Sequence, residues 1–369
     1  MYISRLRLAN FRNYRFQDVG FKPGANLITG GNGQGKTNFL EALCVLTTAK
    51  SYRTAHDEEL ISLEEDTALI WGLVVREQRA DIELEVVLSR SEGKSVKINS
   101  VRRPRVLELI GELNSVGIWV EDVEIIRGEP SVRRRFLNTE ISQISPEYCF
   151  NLVRYKRVLE HRNRLLKQLA HRGTSDASLD VWTAELVRYG APLIEQRRRF
   201  VQRLAAPAEQ AHLELTEGRE RLSVQYAPSF PLEDDCVEDC FRRGLEEMQQ
   251  EELKRGMTLL GPHRDNLVFL IDGRDAKAYA SLGQQRTAAL SLRLSELAAV
   301  QEQIGEPPVL LLDDVFAELD SARTEKLLEL AVPGRQVFIA TTEPSRLPDW
   351  AVQTCTVYRV KSGVLEELE

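Results

Sequence analysis

Gly30-Gly31-Asn32-Gly33-Gln34-Gly35-Lys36-Thr37 sits between an apolar segment at residues 25–29 and a helix-forming one at 38–43. Glycines between a strand and a helix let backbone N–H groups curl round a polyphosphate, and the helix N-terminus adds positive potential. Lys36 can reach the outer phosphates and Thr37 can ligate a divalent cation. The ligand this pattern implies is ATP with Mg²⁺, cradled by residues 30–37 and by Asn38 just beyond them.

A second chemical pair lies almost at the other end of the chain. Residues 308–314 read Pro-Val-Leu-Leu-Leu-Asp-Asp, an apolar run long enough for a fully buried parallel strand, closed by two carboxylates. Carboxylates at the end of a core strand are tolerated when a metal or a reacting water uses them. Asp313 is therefore expected to hold Mg²⁺ through water, and Asp314 to polarise the water that attacks the γ-phosphate. The plainer alternative is a strand-end Asp that caps the following loop. Between the two motifs, Ala280-Ser281-Leu282-Gly283-Gln284-Gln285-Arg286 opens a run with Leu290, Leu294, Leu297 and Ala298 at helical spacing. Ser281 can cap that helix and Gly283 permits close backbone approach, so Ser281, Gly283 and Gln284 form a second anion-binding helix N-terminus.

The order x-S-x-G-Q resembles the signature loop of ABC-type ATPases. That resemblance implies a two-fold dimer driven by ATP, in which the signature loop of one copy closes over the γ-phosphate held by the other. Ala317-Glu318-Leu319-Asp320 resembles the family's D-loop, and residues 336–342 resemble the strand that ends in its switch position. The switch is usually His; here it is Thr342, which implies slow hydrolysis.

The elements that must position these groups follow from periodicity. Residues 3–8 alternate like a half-buried strand, with further strands near 68–75, 82–88 and 95–101, an antiparallel flank beside the nucleotide strand. From about 148 the period turns helical. Leu152, Tyr155, Leu159, Leu166 and Leu169 form one seam, broken where Arg162 takes a seam position; Leu179, Trp182, Leu186, Tyr189, Leu193 and Phe200 form another. A polar linker at 170–178 joins them into an antiparallel arm, and an acidic helix at about 233–256 is expected at its base. A hairpin around Asp272-Gly273 returns the chain to the core. The expected fold is thus α/β: an ABC-type P-loop ATPase head (1–135 and 257–369) with a mixed sheet and antiparallel β flank, plus an inserted, mostly helical arm domain (136–256).

A net charge of −7 excludes a chain coated in basic charge, yet residues 133–200 carry 14 Lys+Arg against 7 Asp+Glu, while residues 231–252 carry 9 acids against 2 bases. Such asymmetry fits a polyanion gripped by one face, although a solvated helix would look the same. Arg133, Arg134, Lys156, Arg157, Arg164 and Lys167 are the candidates for contact with DNA phosphates. No run of about 18 apolar residues occurs and residues 1–6 lack an export signal, so a cytoplasmic location without a membrane partner is expected. Five scattered cysteines suit a reducing compartment, and Cys236 and Cys240 are read as core residues.

Further motifs narrow the resemblance. Phe11-Arg12-Asn13-Tyr14, Ser51-Tyr52-Arg53-Thr54, Gly261-Pro262-His263-Arg264-Asp265, Gly283-Gln284-Gln285-Arg286 and Leu311-Leu312-Asp313-Asp314-Val315-Phe316-Ala317-Glu318-Leu319-Asp320 stand where the RecF family of bacterial recombination and gap-repair ATPases carries like motifs. The chain resembles that family over nearly its whole length. The resemblance implies a weak, DNA-stimulated ATPase that dimerises on double-stranded DNA near single-strand/double-strand junctions, with RecR as protein partner and RecA loading as purpose. It also places Arg12 at the nucleotide, where a surface ion pair is the alternative. His263 and Arg264 are open between catalytic and core roles. Departures are local: Val120-Glu121-Asp122 stands where the family commonly has Pro-Glu-Asp, leaving the Q-loop residue unassigned, and Asn138 and Asn266 replace usual aspartates. The rival reading is the ATPase subunit of a membrane transporter, which shares the loop, the signature and the twin acids.

Overall fold

The computed structural model describes residues 1–77, 79–172, 178–232 and 236–368, with the side chains of 171 and 172 left aside. The centre of the polar linker and the start of the acidic segment therefore lie outside the described residues. The chain folds as two compact units, one of residues 1–123, 210–220 and 286–369, the other of 124–209 and 221–285.

The first unit is built on two six-stranded sheets. One orders Val364–Glu367, Thr356–Lys361, Ala25–Thr29, Val337–Thr341, Val309–Asp313 and Ser115–Trp119, all parallel except the outermost pair. Its central strands are apolar on both faces, so they must be covered on both sides. The other sheet is antiparallel, in the order Tyr14–Gly20, Tyr2–Phe11, Thr67–Val75, Ile82–Ser89, Gly93–Ile98, Val101–Arg102. Here alternate residues are buried, as in Ile82–Ser89, because only one face meets the core. This is the flank expected from the alternating segments.

Helix Lys36–Thr48 explains how the two sheets share a core. Ten of its thirteen residues are buried, which requires cover all round, and it touches strands of both sheets. Phe39, Leu43 and Leu46 join Leu6, Ile70 and Leu84 from the antiparallel sheet and Leu311 and Phe338 from the parallel one in a single cluster. The helix that begins in the glycine loop is thus the fixed axle of the unit.

The second unit contains helices Pro130–Ile144, Pro146–Arg172, Val237–Arg255 and most of Ser178–Leu215, with a three-stranded sheet of Arg274–Asp275, Asn266–Ile271 and Leu222–Ala227. Ser145 bonds Gln196, Phe150 meets Tyr189 edge-on and His161 stacks on Trp182, so the two long helices run antiparallel as their seams foretold. Arg162 is buried in that seam with Glu252, Thr183 and Thr258 as partners. The acidic helix does not stop at the base of the arm: its Leu253 packs against Leu166, Leu169 and Leu179. The junctions read from sequence at 135/136 and 256/257 differ from those of the compact units, because helix Pro130–Ile144 runs through the first and the Asp272-Gly273 hairpin belongs with the arm. Cys240 is buried but Cys236 is exposed, a correction to its reading as a core residue.

Candidate nucleotide-binding site

The glycine loop closes on itself as phosphate binding requires. Gly30, Gly33 and Gly35 have φ of 155°, 73° and 120°. A Cβ on Gly35 would lie 2.7 Å from Asn13 Nδ2, so only glycine fits that turn. Asn13 Nδ2 donates to the Gln34 carbonyl (2.9 Å), the Tyr14 hydroxyl donates to the Gly35 carbonyl (2.9 Å), and the backbone N–H of Ser362 donates to Gln34 Oε1 (2.8 Å). The loop is therefore held by chain segments far apart in sequence. Asn38 bonds Asn13 beside it.

Lys36 turns its Nζ back over the loop, donating to the carbonyls of Gly30 (2.9 Å) and Gly31 (3.1 Å). Burial pulls its pKa down, against the opposing pull of Asp314 and Asp313. An ammonium poised on carbonyls that outer phosphate oxygens can replace is what a polyphosphate site needs. Thr37 Oγ1 donates to Asp313 Oδ1 at 3.1 Å, joining the two sequence motifs across 276 residues. Burial pushes the Asp313 carboxyl up to about 6; hydrogen bonds from Thr37 and Tyr52 oppose this, and Asp314 and Glu121 reinforce it. Among the described residues no basic side chain pairs with Asp313. A half-buried carboxylate with a hydroxyl alongside and, among the described residues, no paired cation fits a divalent metal.

Asp314 follows with φ 51°, a left-handed conformation that starts the turn after the strand. Its Oδ1 lies 3.4 Å from both the Thr341 hydroxyl and the Thr342 backbone N–H, so the switch position and the second acid are neighbours. Asp320 caps helix Ser321–Ala331 by accepting from the Arg323 N–H at 2.8 Å. In the second unit, the Ser281 N–H donates to Gln284 Oε1 (2.8 Å) and the Gln284 N–H to Ser281 Oγ (3.3 Å), a reciprocal capping box. Ser281 and Gly283 are exposed there.

The remaining residues named from sequence sit in different surroundings. Arg12 grips the fully buried Glu41 through Nε and Nη2, both at 2.9 Å, and donates to the Glu59 carbonyl; it is an ion pair of the head in this state. Arg133 is buried, with bonds to the carbonyls of Ile125 and Ile126 and to Asn266, so it cannot meet duplex as expected: in a run of three arginines one must face inward. Arg134 is half-buried on the Asp265 carbonyl, whereas Lys156, Arg157, Arg164 and Lys167 are exposed. His263 is half-buried with both ring nitrogens engaged: Nδ1 meets the Tyr155 hydroxyl at 2.6 Å, Nε2 meets the Thr258 carbonyl at 3.2 Å, and desolvation lowers its pKa to about 4.

The profile of the RecF/RecN/SMC N-terminal domain matches residues 2–366. "DNA replication and repair protein RecF" of Halalkalibacterium halodurans is 41% identical over 371 residues, covering 100% of both chains. The chain belongs to the RecF family. Two solved structures, described as the recombination mediator protein RecF-ATPrS and RecF-ATP in the RecFOR pathway, superpose with TM-scores of 0.91 and 0.90; they are 34% and 33% identical and the match covers 100% of this chain and 98% of each. The fold is the ABC-type ATPase head of RecF and SMC proteins. Seen within the RecF family, the Ser51-Tyr52-Arg53 motif gains partners that spacing could not supply. Ser51 Oγ and Arg53 Nη1 both bond Glu41, Arg53 also bonds Asn38, and Tyr52 reaches Asp313. Glu41 and Trp119 were not singled out from sequence and Tyr52 stood there only within a family motif, because nothing local to any of the three announces its distant partner.

Proposed function

We propose that this RecF-family chain is an ATP-binding protein of DNA replication and recombinational repair that dimerises through ATP on double-stranded DNA near single-strand/double-strand junctions. The observation that carries this reading is the 3.1 Å contact of Thr37 with Asp313 beneath the glycine loop, with Lys36 poised above it. Backbone N–H groups of residues 31–36 and the Lys36 ammonium would hold the phosphates, and Thr37 with Asp313 would hold Mg²⁺. That cation, when bound, neutralises charge on the β- and γ-phosphate oxygens. Asp314, next to Thr342, orients and deprotonates the attacking water, and the lack of an imidazole at that position supports slow turnover.

Support for the dimer comes from the exposed signature loop, flanked by Tyr279, 76% exposed, and by Leu282. Large apolar side chains are seldom left so open beside an anion-binding turn unless another surface covers them. Duplex phosphate is assigned to Lys156, Arg157, Arg164 and Lys167 on the arm, with DNA-stimulated hydrolysis as the consequence. RecR as partner and RecA loading as purpose rest on the family alone. The transporter reading has less in its favour, because the relatives carry repair names.

The decisive experiment sizes the protein with ATP·Mg²⁺, with ADP and without nucleotide, each with and without gapped duplex. Dimers are expected only with ATP·Mg²⁺, strengthened by DNA; Lys36→Met should abolish them and Asp314→Asn should preserve them while hydrolysis slows. Equal dimerisation without nucleotide would refute the proposal.

A further inference from the structure

The Asp313 carboxylate is held by two different donors. Oδ1 accepts from the Thr37 hydroxyl at 3.1 Å and Oδ2 from the Tyr52 hydroxyl at 3.4 Å. Left alone, a carboxylate exchanges its oxygens by turning about its last torsion, a broad and shallow one. Two fixed donors on opposite sides remove that freedom. The second donor is itself fixed: the Tyr52 ring stacks on the Trp119 indole with centroids 3.8 Å apart and planes at 12°. Trp119 in turn folds back over Gly117, where a Cβ would fall 2.2 Å from the indole, and its backbone N–H donates to Asp122 Oδ2 at 2.9 Å. Asp122 is anchored by Arg293 Nη2 at 2.7 Å, and Arg293 pairs with Glu296. Tyr52 thus cannot swing aside without disturbing a packed chain of partners.

We propose that Tyr52 is a positioning residue for the metal site: its hydroxyl holds one oxygen of Asp313 so that the other faces Thr37 and the cation. A phenylalanine would fill the same space on Trp119 but supply no donor, so the hydroxyl itself is the informative group. Partners of this kind, one shell out from a metal, set ligand orientation and change metal affinity about 10–100-fold when removed. Because the ring lies flat on Trp119, a shift of Asp313 as the metal arrives must also alter the surroundings of that indole. The inference rests on the ATP·Mg²⁺ reading of the site given above.

The test uses the full chain with Trp71→Phe, Trp182→Phe and Trp350→Phe, leaving Trp119 as the reporter, with and without Tyr52→Phe. ADP binding is measured by calorimetry without Mg²⁺ and across a MgCl₂ titration, with Trp119 emission followed in parallel. Tyr52→Phe should leave metal-free ADP affinity unchanged, raise the Mg²⁺ needed for half-saturation at least about ten-fold, and diminish the Mg²⁺-dependent change in Trp119 emission. A merely structural role would weaken metal-free and metal-dependent binding together, which overturns the proposal, as would a Mg²⁺ requirement within two-fold of the parent. A parent chain that binds ADP with no Mg²⁺ dependence at all would sink the ATP·Mg²⁺ reading as well.

Discussion

Asp313, half-buried in the head, and Asp265, fully buried in the second unit, are both carboxylates whose pKa desolvation raises, and the protein treats them in opposite ways. Asp265 is saturated: Arg197 Nη1 lies at 3.2 Å, the Ser229 N–H donates at 2.9 Å and the Tyr226 hydroxyl bonds the oxygen that faces Arg197. Arg197 is itself fully engaged by Tyr148, Asn138 and the Pro262 carbonyl. Asp313 has two hydroxyl donors and, among the described residues, no basic side chain paired with it. The lesson is that a desolvated acid marks a site when no cation pairs with it, and marks scaffold when a cation and hydrogen bonds engage both its oxygens.

The largest expected effect tests that contrast directly. Arg197→Met leaves Asp265 buried without its cation and should cost about 3–5 kcal/mol in urea unfolding, whereas Asp313→Asn should change stability by less than about 1 kcal/mol while abolishing Mg²⁺-dependent nucleotide binding. Equal costs would erase the distinction. Next, the same logic divides the basic stretch. Removing the exposed Lys156, Arg157, Arg164 and Lys167 together should weaken duplex binding on the order of a hundred-fold at moderate salt and flatten its salt dependence. Arg133→Ala should instead lower stability and leave the salt slope unchanged.

A smaller effect concerns acid. The folded His263 ring is neutral with a pKa of about 4 against an ordinary 6.5, so between those values the unfolded chain binds a proton that the folded one does not. Stability should therefore fall as pH drops from about 6.5 toward 4, by on the order of 3 kcal/mol, and level off below. Urea midpoints across that window should show the slope in the parent and a weaker slope in His263→Gln. The smallest effect is expected at the signature loop, where Ser281→Ala removes one half of a capping box and should cost the monomer about 1 kcal/mol. Its effect on ATP-driven dimerisation should be far greater, and sizing against unfolding separates the two.

Sequence made the head's chemistry legible because the glycine loop, Asp313-Asp314 and Ser281-x-Gly283-Gln284 are each local: a few consecutive residues determine what backbone and side chains can do. The fold class followed from alternation in the antiparallel flank and from Leu, Tyr and Phe seams in the arm. Pairings across long separations were not legible. Glu41 is the anchor for Arg12, Ser51 and Arg53, yet nothing near it in sequence announces a buried acid at the hub of a polar cluster. Arg133 looked like its neighbours Arg134 and Arg135, and only helix geometry decides which of three consecutive cations turns inward. His263 was ambiguous for the same reason, since Tyr155 lies 108 residues away.

The clamp on the glycine loop has a consequence for the chain as it is made. Gly30–Thr37 and its braces Asn13 and Tyr14 emerge early, but three other supports arrive far later: the N–H of Ser362 on Gln34 Oε1, the N–H of Gly363 on the Gln34 carbonyl, and strand Thr356–Lys361 beside Ala25–Thr29. At roughly 5–20 residues per second, a ribosome needs tens of seconds to travel between the two. Until residues 356–363 are made, the polypeptide carries the entire phosphate-binding motif with only the Asn13 and Tyr14 side of its cradle, so full nucleotide competence waits for that distant segment.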